Sequence, residues 1–188
     1  MPPKLQISRE MIIETGLDVI RKHGADALNV RKIAAELGCS TQPVMYQFST
    51  VNELRDALYQ QADKLHSEYL MNMTQCENPM MAVGMNYIKF AFEEKHLFRF
   101  LFQSDNFNDN SLSALISNEG LTPVYSILHD ETGLNEQQCK DAFSALFLTV
   151  HGIASLLANN SMEYDEEHFE NVLNNVFMGI IGIMKGGE

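Results

Sequence analysis

Apolar residues return every three or four positions along most of the chain, the period of helices buried on one side. A first helix is predicted over 8–23. Ile33, Ala34 and Leu37 form a short stripe behind Asn29, a good N-cap, so a second helix is predicted over 30–37. Gly38 stands where that helix must end in a left-handed conformation. Ser40 is placed to cap the next helix, with Gln42 and Pro43 in its first turn and Val44 and Phe48 facing inward. Thr50 and Glu53 have capping-box spacing, and Leu54, Leu58, Ala62, Leu65 and Tyr69 carry one stripe through a long helix over 50–73. Asn78 and Pro79 stop and restart the chain ahead of a helix over 80–94. Residues 97–102 (Leu-Phe-Arg-Phe-Leu-Phe) are apolar nearly all round, predicting a short buried helix. The Asn/Asp-rich stretch 104–110 reads as a loop, 111–130 as one helix bent near Pro123, 136–159 as a long helix, 160–165 as a loop and 166–185 as the last helix. With no strand-like alternation of useful length, no repeat and no low-complexity tract, the fold class is all-α.

Two short helices bent at one glycine, with a tyrosine on the second, are the pattern of a helix-turn-helix, which places a helix in the DNA major groove. An ordinary helical hairpin is the weaker reading, because the tight turn, the caps and the exposed tyrosine occur together. Thr41, Gln42 and Gln47 then reach toward base edges, and Lys32, Ser40 and Tyr46 toward phosphates. Residues 8–54 resemble the N-terminal domain of the TetR family of transcriptional regulators. The likeness runs from the first helix through Gly24-Ala-Asp-Ala-Leu-Asn-Val30 and Ile33-Ala-Ala-Glu-Leu-Gly38-Cys-Ser40 to Val44-Met-Tyr46-Gln-Phe48. Two positions depart from the family pattern: Gln47 stands where His is frequent, and Val51 where a phosphate-contacting Lys is usual. Loss of that cation weakens sequence-independent affinity for DNA. The resemblance implies a DNA-binding domain over 1–54 and a helical ligand-binding and dimerisation domain over 55–188. It also implies a repressor that leaves a palindromic operator when a small effector binds.

The last two helices are broadly apolar. Phe143, Leu146, Phe147, Val150, Ile153, Ala154 and Leu157 line one, and Phe169, Val172, Leu173, Val176, Phe177, Ile180, Ile181 and Met184 the other, with Gly152 and Gly179 permitting close approach. Such a pair is either core of a monomer or half of a two-fold four-helix interface. The resemblance implies the homodimer, with Phe143, Val150, Ile153, Leu157, Val172, Val176 and Ile180 as its interface. The stretches 87–100 and 150–156 also resemble a TetR subgroup with a particular effector domain, which commonly has Trp near the place of Phe147. Tyr87, Phe90, Phe98, Phe102, Phe147 and His151 are the expected contacts of an apolar or amphipathic effector, among eleven Met and eleven Phe. Each of these side chains also has an ordinary reading as core, and His151 as a hydrogen-bonded core histidine.

Composition narrows the class. The net charge is −12, yet residues 1–50 carry about +1, so the remainder carries −13. An acidic body repels DNA and leaves the head to approach it, and it favours a cationic effector. Cys39, Cys76 and Cys139, an odd number at wide spacing, read as free thiols of a reducing cytoplasm. The N-terminus lacks the apolar stretch of a secretory signal, and no run of about 18 apolar residues implies a membrane span. No phosphate loop, nucleophile elbow or zinc-spaced Cys/His set is present, so no enzyme, cofactor or metal site is expected. Glu166-Glu167-His168 reads as a solvated helix start. The alternative function is a TetR-like interaction protein or co-regulator whose helical body binds another protein.

Overall fold

The computed structural model describes residues 7–73, 78–103 and 111–186, and every regular element among them is helical. The order is α1 (Arg9–His23), α2 (Val30–Glu36), α3 (Thr41–Gln47), α4 (Val51–Leu70), α5 (Pro79–Glu93), α6 (Lys95–Phe102), α7 (Leu112–Ile116), α8 (Thr122–Thr132), α9 (Glu136–Asn159) and α10 (Glu166–Gly186). Single 3-10 turns lie at Ala25–Ala27 and Glu119–Leu121. Cys76 and the expected loop 104–110 lie outside the described residues.

By packing, the chain divides into Met1–Ser67 with Glu94–Phe107, and Glu68–Glu93 with Asn108–Glu188. α4 and α6 therefore supply the first unit with core beyond residue 54. In this unit Ile12, Ile20, Ile33, Val44, Phe48, Leu54, Leu58, Leu97 and Phe98 are buried. Gly16 lets α1 lie directly on α4: a Cβ there would sit 2.7 Å from Leu58 Cδ2. Arg21 on α1 pairs with Glu94 at 3.0 Å, just ahead of α6.

The caps form as the sequence dictates, with two differences. Asn29 Oδ1 accepts from the Lys32 N–H at 2.9 Å, and Asn78 Oδ1 from the Met81 N–H at 3.0 Å. Thr50 Oγ1 accepts from the Glu53 N–H, but the Glu53 carboxylate reaches back to the Ser49 N–H at 2.7 Å rather than to residue 50. Ser40 occupies the N-cap position of α3 without a side-chain hydrogen bond to the helix.

Two further expectations are corrected. The stripe of α4 buries Leu54, Leu58, Ala62 and His66, so His66 takes the inward place assigned to Leu65. A step of four carries the helix around its own axis onto position 66, and tertiary packing rather than polarity chose the face. The single helix expected over 111–130 is two helices. Asn118 Oδ1 accepts from the Gly120 N–H at 2.8 Å, diverting the backbone, and Pro123 then sits in the first turn of α8.

In the second unit α9 is the central helix. α5, α8 and α10 pack on it, burying Cys139, Ala142, Phe143, Leu146, Val150, Ala154, Leu157 and Ala158. Gly84 on α5 makes a close approach, with a Cβ there 3.2 Å from Leu173 Cδ1 and 3.4 Å from Val150 Cγ1. α9 is also long and apolar enough to cross a membrane by length and composition alone, a test that the buried core helix of a soluble protein passes as well. Ser144, Thr149, His151 and Ser155 interrupt its apolar run.

Candidate DNA-binding head and effector-domain site

The turn between α2 and α3 is built from backbone bonds. The Gly38 N–H donates to the Ala35 carbonyl at 3.1 Å and the Cys39 N–H to the Ala34 carbonyl at 2.9 Å. This is a Schellman closure, and it requires a left-handed residue, which Gly38 supplies at φ +65°. Ile33 and Ala34 on α2 and Val44 on α3 are buried, so the two helices cross with their outer faces fixed. α3 then presents Thr41, Gln42, Met45 and Tyr46 to solvent, with Tyr46 77% exposed. The Gln42 side-chain amide donates to the Tyr46 hydroxyl at 2.6 Å, one turn along the same face. Ser40 is exposed beside them, and Lys32 lies 3.3 Å from Glu36 on α2.

Gln47 is placed differently from its neighbours. It is half-buried, and its amide donates to the Ile7 carbonyl at 3.3 Å. Its main-chain carbonyl accepts from Arg9 Nη1 at 2.7 Å. The same guanidinium reaches Glu53 at 3.0 Å and lies 4.0 Å from the centre of the Phe48 ring. The Ser49 N–H first, and then Arg9, hold the Glu53 carboxyl below its ordinary pKa. Arg9 carried no signal in the sequence, because its partners are distant in the chain. Val51 is exposed at the start of α4.

The six expected effector contacts fall into separate places. Tyr87 on α5 and Phe147 and His151 on α9 are brought together. The Tyr87 hydroxyl and His151 Nδ1 are 2.8 Å apart, and the Tyr87 ring stands edge-on to Phe147 at 6.1 Å. Phe143, Phe147 and His151 follow at i, i+4 and i+8, nearly parallel, with ring centres 5.8 and 5.3 Å apart. Tyr125 of α8 closes the row on Phe143 at 5.3 Å, a contact the sequence reading missed. Burial lowers the His151 pKa and raises that of Tyr87 well above the ordinary phenol. The imidazole is therefore neutral near pH 7 and the phenol protonated, and the two share one hydrogen bond whose donor is set by the imidazole tautomer. Phe90 is buried and packs edge-on to Tyr69 at 5.4 Å. Phe98 and Phe102 belong to the first unit, where they lie 5.0 Å apart and Phe102 meets His66 at 5.2 Å.

The expected interface residues also divide. Phe143, Val150 and Leu157 are buried within the chain, while Ile153, Val172, Val176 and Ile180 are half-buried. The outward apolar face of α9 is instead Leu148 and Leu156, spaced about Gly152, and that of α10 is Met178 and Ile183. A Cβ at Gly152, Gly179 or Gly182 would meet nothing within 4 Å.

A glycine-closed helix-turn-helix, followed by elements that are all helical among the described residues, defines the class as an all-α fold with an N-terminal helix-turn-helix. The family model described as "Tetracyclin repressor-like, C-terminal domain" matches residues 80–176, more than half of the chain. The chain belongs to the TetR-like family of transcriptional regulators. Similar solved structures include the multidrug binding protein EbrR complexed with imidazole, at 18% identity and a TM-score of 0.54, covering 89% of this chain and 88% of that one. The same protein complexed with ethidium matches at 17% identity and a TM-score of 0.54, covering 89% and 96%. A member of TetR family (SCO1917) from Streptomyces coelicolor A3 matches at 16% identity and a TM-score of 0.57, again covering 89% and 96%. At these identities the likeness is one of fold. No curated protein matched the sequence.

Proposed function

We propose that the protein is a sequence-specific DNA-binding repressor, with its DNA-binding domain over 1–54 and its effector and dimerisation domain over 55–188. The observation that carries this reading is the outer face of α3, where Thr41, Gln42 and Tyr46 stand exposed while Val44 and Phe48 anchor the helix. Thr41 and Gln42 read base edges; Tyr46, Ser40 and Lys32 contact phosphates. A homodimer delivers two such helices to a near-palindrome with half-sites about 34–36 Å apart or a multiple of that. The exposed Leu148, Leu156, Met178 and Ile183, with Ile153, Val172, Val176 and Ile180 beside them, supply the dimer contact. The effector is a small apolar or amphipathic molecule, cationic in keeping with the acidic body. It meets the Tyr87, Phe147 and His151 group, where aromatic rings lie beside a hydrogen-bonded hydroxyl and imidazole. EbrR, similar in fold, was solved with ethidium.

A second reading rests on one observation. Val51 is 46% exposed where the family usually places a phosphate-binding Lys, which fits a co-regulator whose body engages another protein. A gel shift of the purified protein on the DNA upstream of its own gene separates the two. A discrete complex that survives competitor DNA and disappears in Gln42→Ala supports the repressor; no complex with the protein alone supports the co-regulator.

A further inference from the structure

The N-terminal end of α1 holds the C-terminal end of α3 from two directions. Going one way, the Gln47 side-chain amide donates to the Ile7 main-chain carbonyl at 3.3 Å. Going the other, Arg9 Nη1 donates to the Gln47 main-chain carbonyl at 2.7 Å. That carbonyl is one of those a helix leaves without an intrahelical partner at its C-terminal end, and a cation is the favoured group to cap it. The guanidinium is itself fixed on two further sides, and one of its partners is anchored in turn. Glu53 pairs with it at 3.0 Å from the first turn of α4, the Phe48 ring lies 4.0 Å beneath it, and the Glu53 carboxylate is anchored by the Ser49 N–H at 2.7 Å. Ser8 Oγ accepts from the Met11 N–H at 3.2 Å, fixing the start of α1 between the two arms.

We propose that Ile7, Arg9, Gln47 and Glu53 form a strap that sets the pitch of the recognition helix, with Arg9 and Gln47 acting as positioning residues and not as DNA contacts. The proposal rests on the DNA-binding reading above and replaces the base-edge role expected for Gln47. α3 is only seven residues long. So short a helix has little cooperativity of its own, and its angle follows from what holds its two ends. Gly38 fixes the front end through the turn; the strap fixes the back. A guanidinium serves here where an ammonium serves less well, because its planar fork meets a carbonyl and a carboxylate at once while its face lies on an aromatic ring.

The test begins with duplexes enriched from a randomised library by the full-length wild-type protein. Affinity for the enriched duplex is then measured by fluorescence anisotropy over a salt series for wild type, Arg9→Gln, Arg9→Lys and Gln47→Ala. Circular dichroism and melting confirm that each is folded at the assay temperature. Arg9→Gln and Gln47→Ala are expected to bind about three- to tenfold more weakly, the scale of a partly exposed charge-assisted hydrogen bond. They should enrich the same sequence as wild type and keep its slope of log affinity on log salt. Arg9→Lys should recover part of the loss, since it retains the Glu53 ion pair. If Arg9→Gln does not fold, Glu53→Gln loosens the same strap from α4 and carries the same comparison. A salt slope reduced by about one in Arg9→Gln marks a phosphate contact, and a different enriched sequence from Gln47→Ala marks a base contact; either overturns the strap. Unchanged affinity in both variants overturns it as well. Failure of the wild type to enrich any duplex refutes the DNA-binding reading itself, a result distinct from all of these.

Discussion

Burial of His66 makes the protein's stability depend on pH in a calculable way. The imidazole is 6% exposed, edge-on to Phe102, and desolvation lowers its pKa from 6.5 to about 4. Between those values the unfolded chain binds a proton that the folded chain refuses, so stability rises with pH across the window. The contribution of His66 is fully favourable above pH 6.5, declines as pH falls, and levels off below about 4. The whole shift corresponds to about 3 kcal/mol, and at pH 5 about 2 kcal/mol of that has been lost. Against a total of about 5–15 kcal/mol this is a large fraction. Carboxylates held below their ordinary values, Glu53 among them, add their losses only near and below pH 4.5. The test compares urea denaturation of wild type and His66→Gln at intervals from pH 7.5 to 5. Absolute stability of the variant is immaterial; the difference in slope isolates one titration. Wild type should lose about 2 kcal/mol more than the variant over that interval. Parallel curves would show that His66 protonates freely in the folded protein, and would refute the argument from burial.

Three other outcomes follow from particular residues. Gly38→Val puts a β-branched side chain at φ +65° with no steric neighbour, so its cost is backbone strain of about 1–2 kcal/mol, read as a fall of about 2–4 °C in melting temperature per kcal/mol; an unchanged melting temperature would discount the turn geometry. Leu156→Asp with Ile183→Asp, both on the outward apolar face, should convert a dimer to a folded monomer by sedimentation, whereas a wild type already monomeric at micromolar concentration contradicts the interface. Hydrophobic cations that raise the melting temperature of wild type should do so less in Tyr87→Phe and Phe147→Ala; equal shifts in all three place the effector elsewhere.

Some of this was readable from residue order because the forces concerned are local. Asn29, Asn78 and Gly38 mark helix ends, since a cap or a left-handed residue acts within three or four positions of itself. The apolar period fixed the all-α class, and the ordered matches through residues 8–54 pointed to the family that the match over 80–176 then showed. The row of Phe143, Phe147 and His151 is likewise implicit in a spacing of four.

What the order of residues left open was set by contacts between distant segments. α9 and α10 are apolar on more than one face, so periodicity could not say which face turns inward. Packing against α5 and α8 decided that Phe143, Val150 and Leu157 are core and that Leu148 and Leu156 look outward. The same applies to His66 in place of Leu65 on α4. Tyr87 finds His151 across 64 positions, and Arg9 finds Gln47 across 38. No local preference encodes such pairs; they exist because helices docked by their buried faces bring those particular side chains within hydrogen-bonding reach.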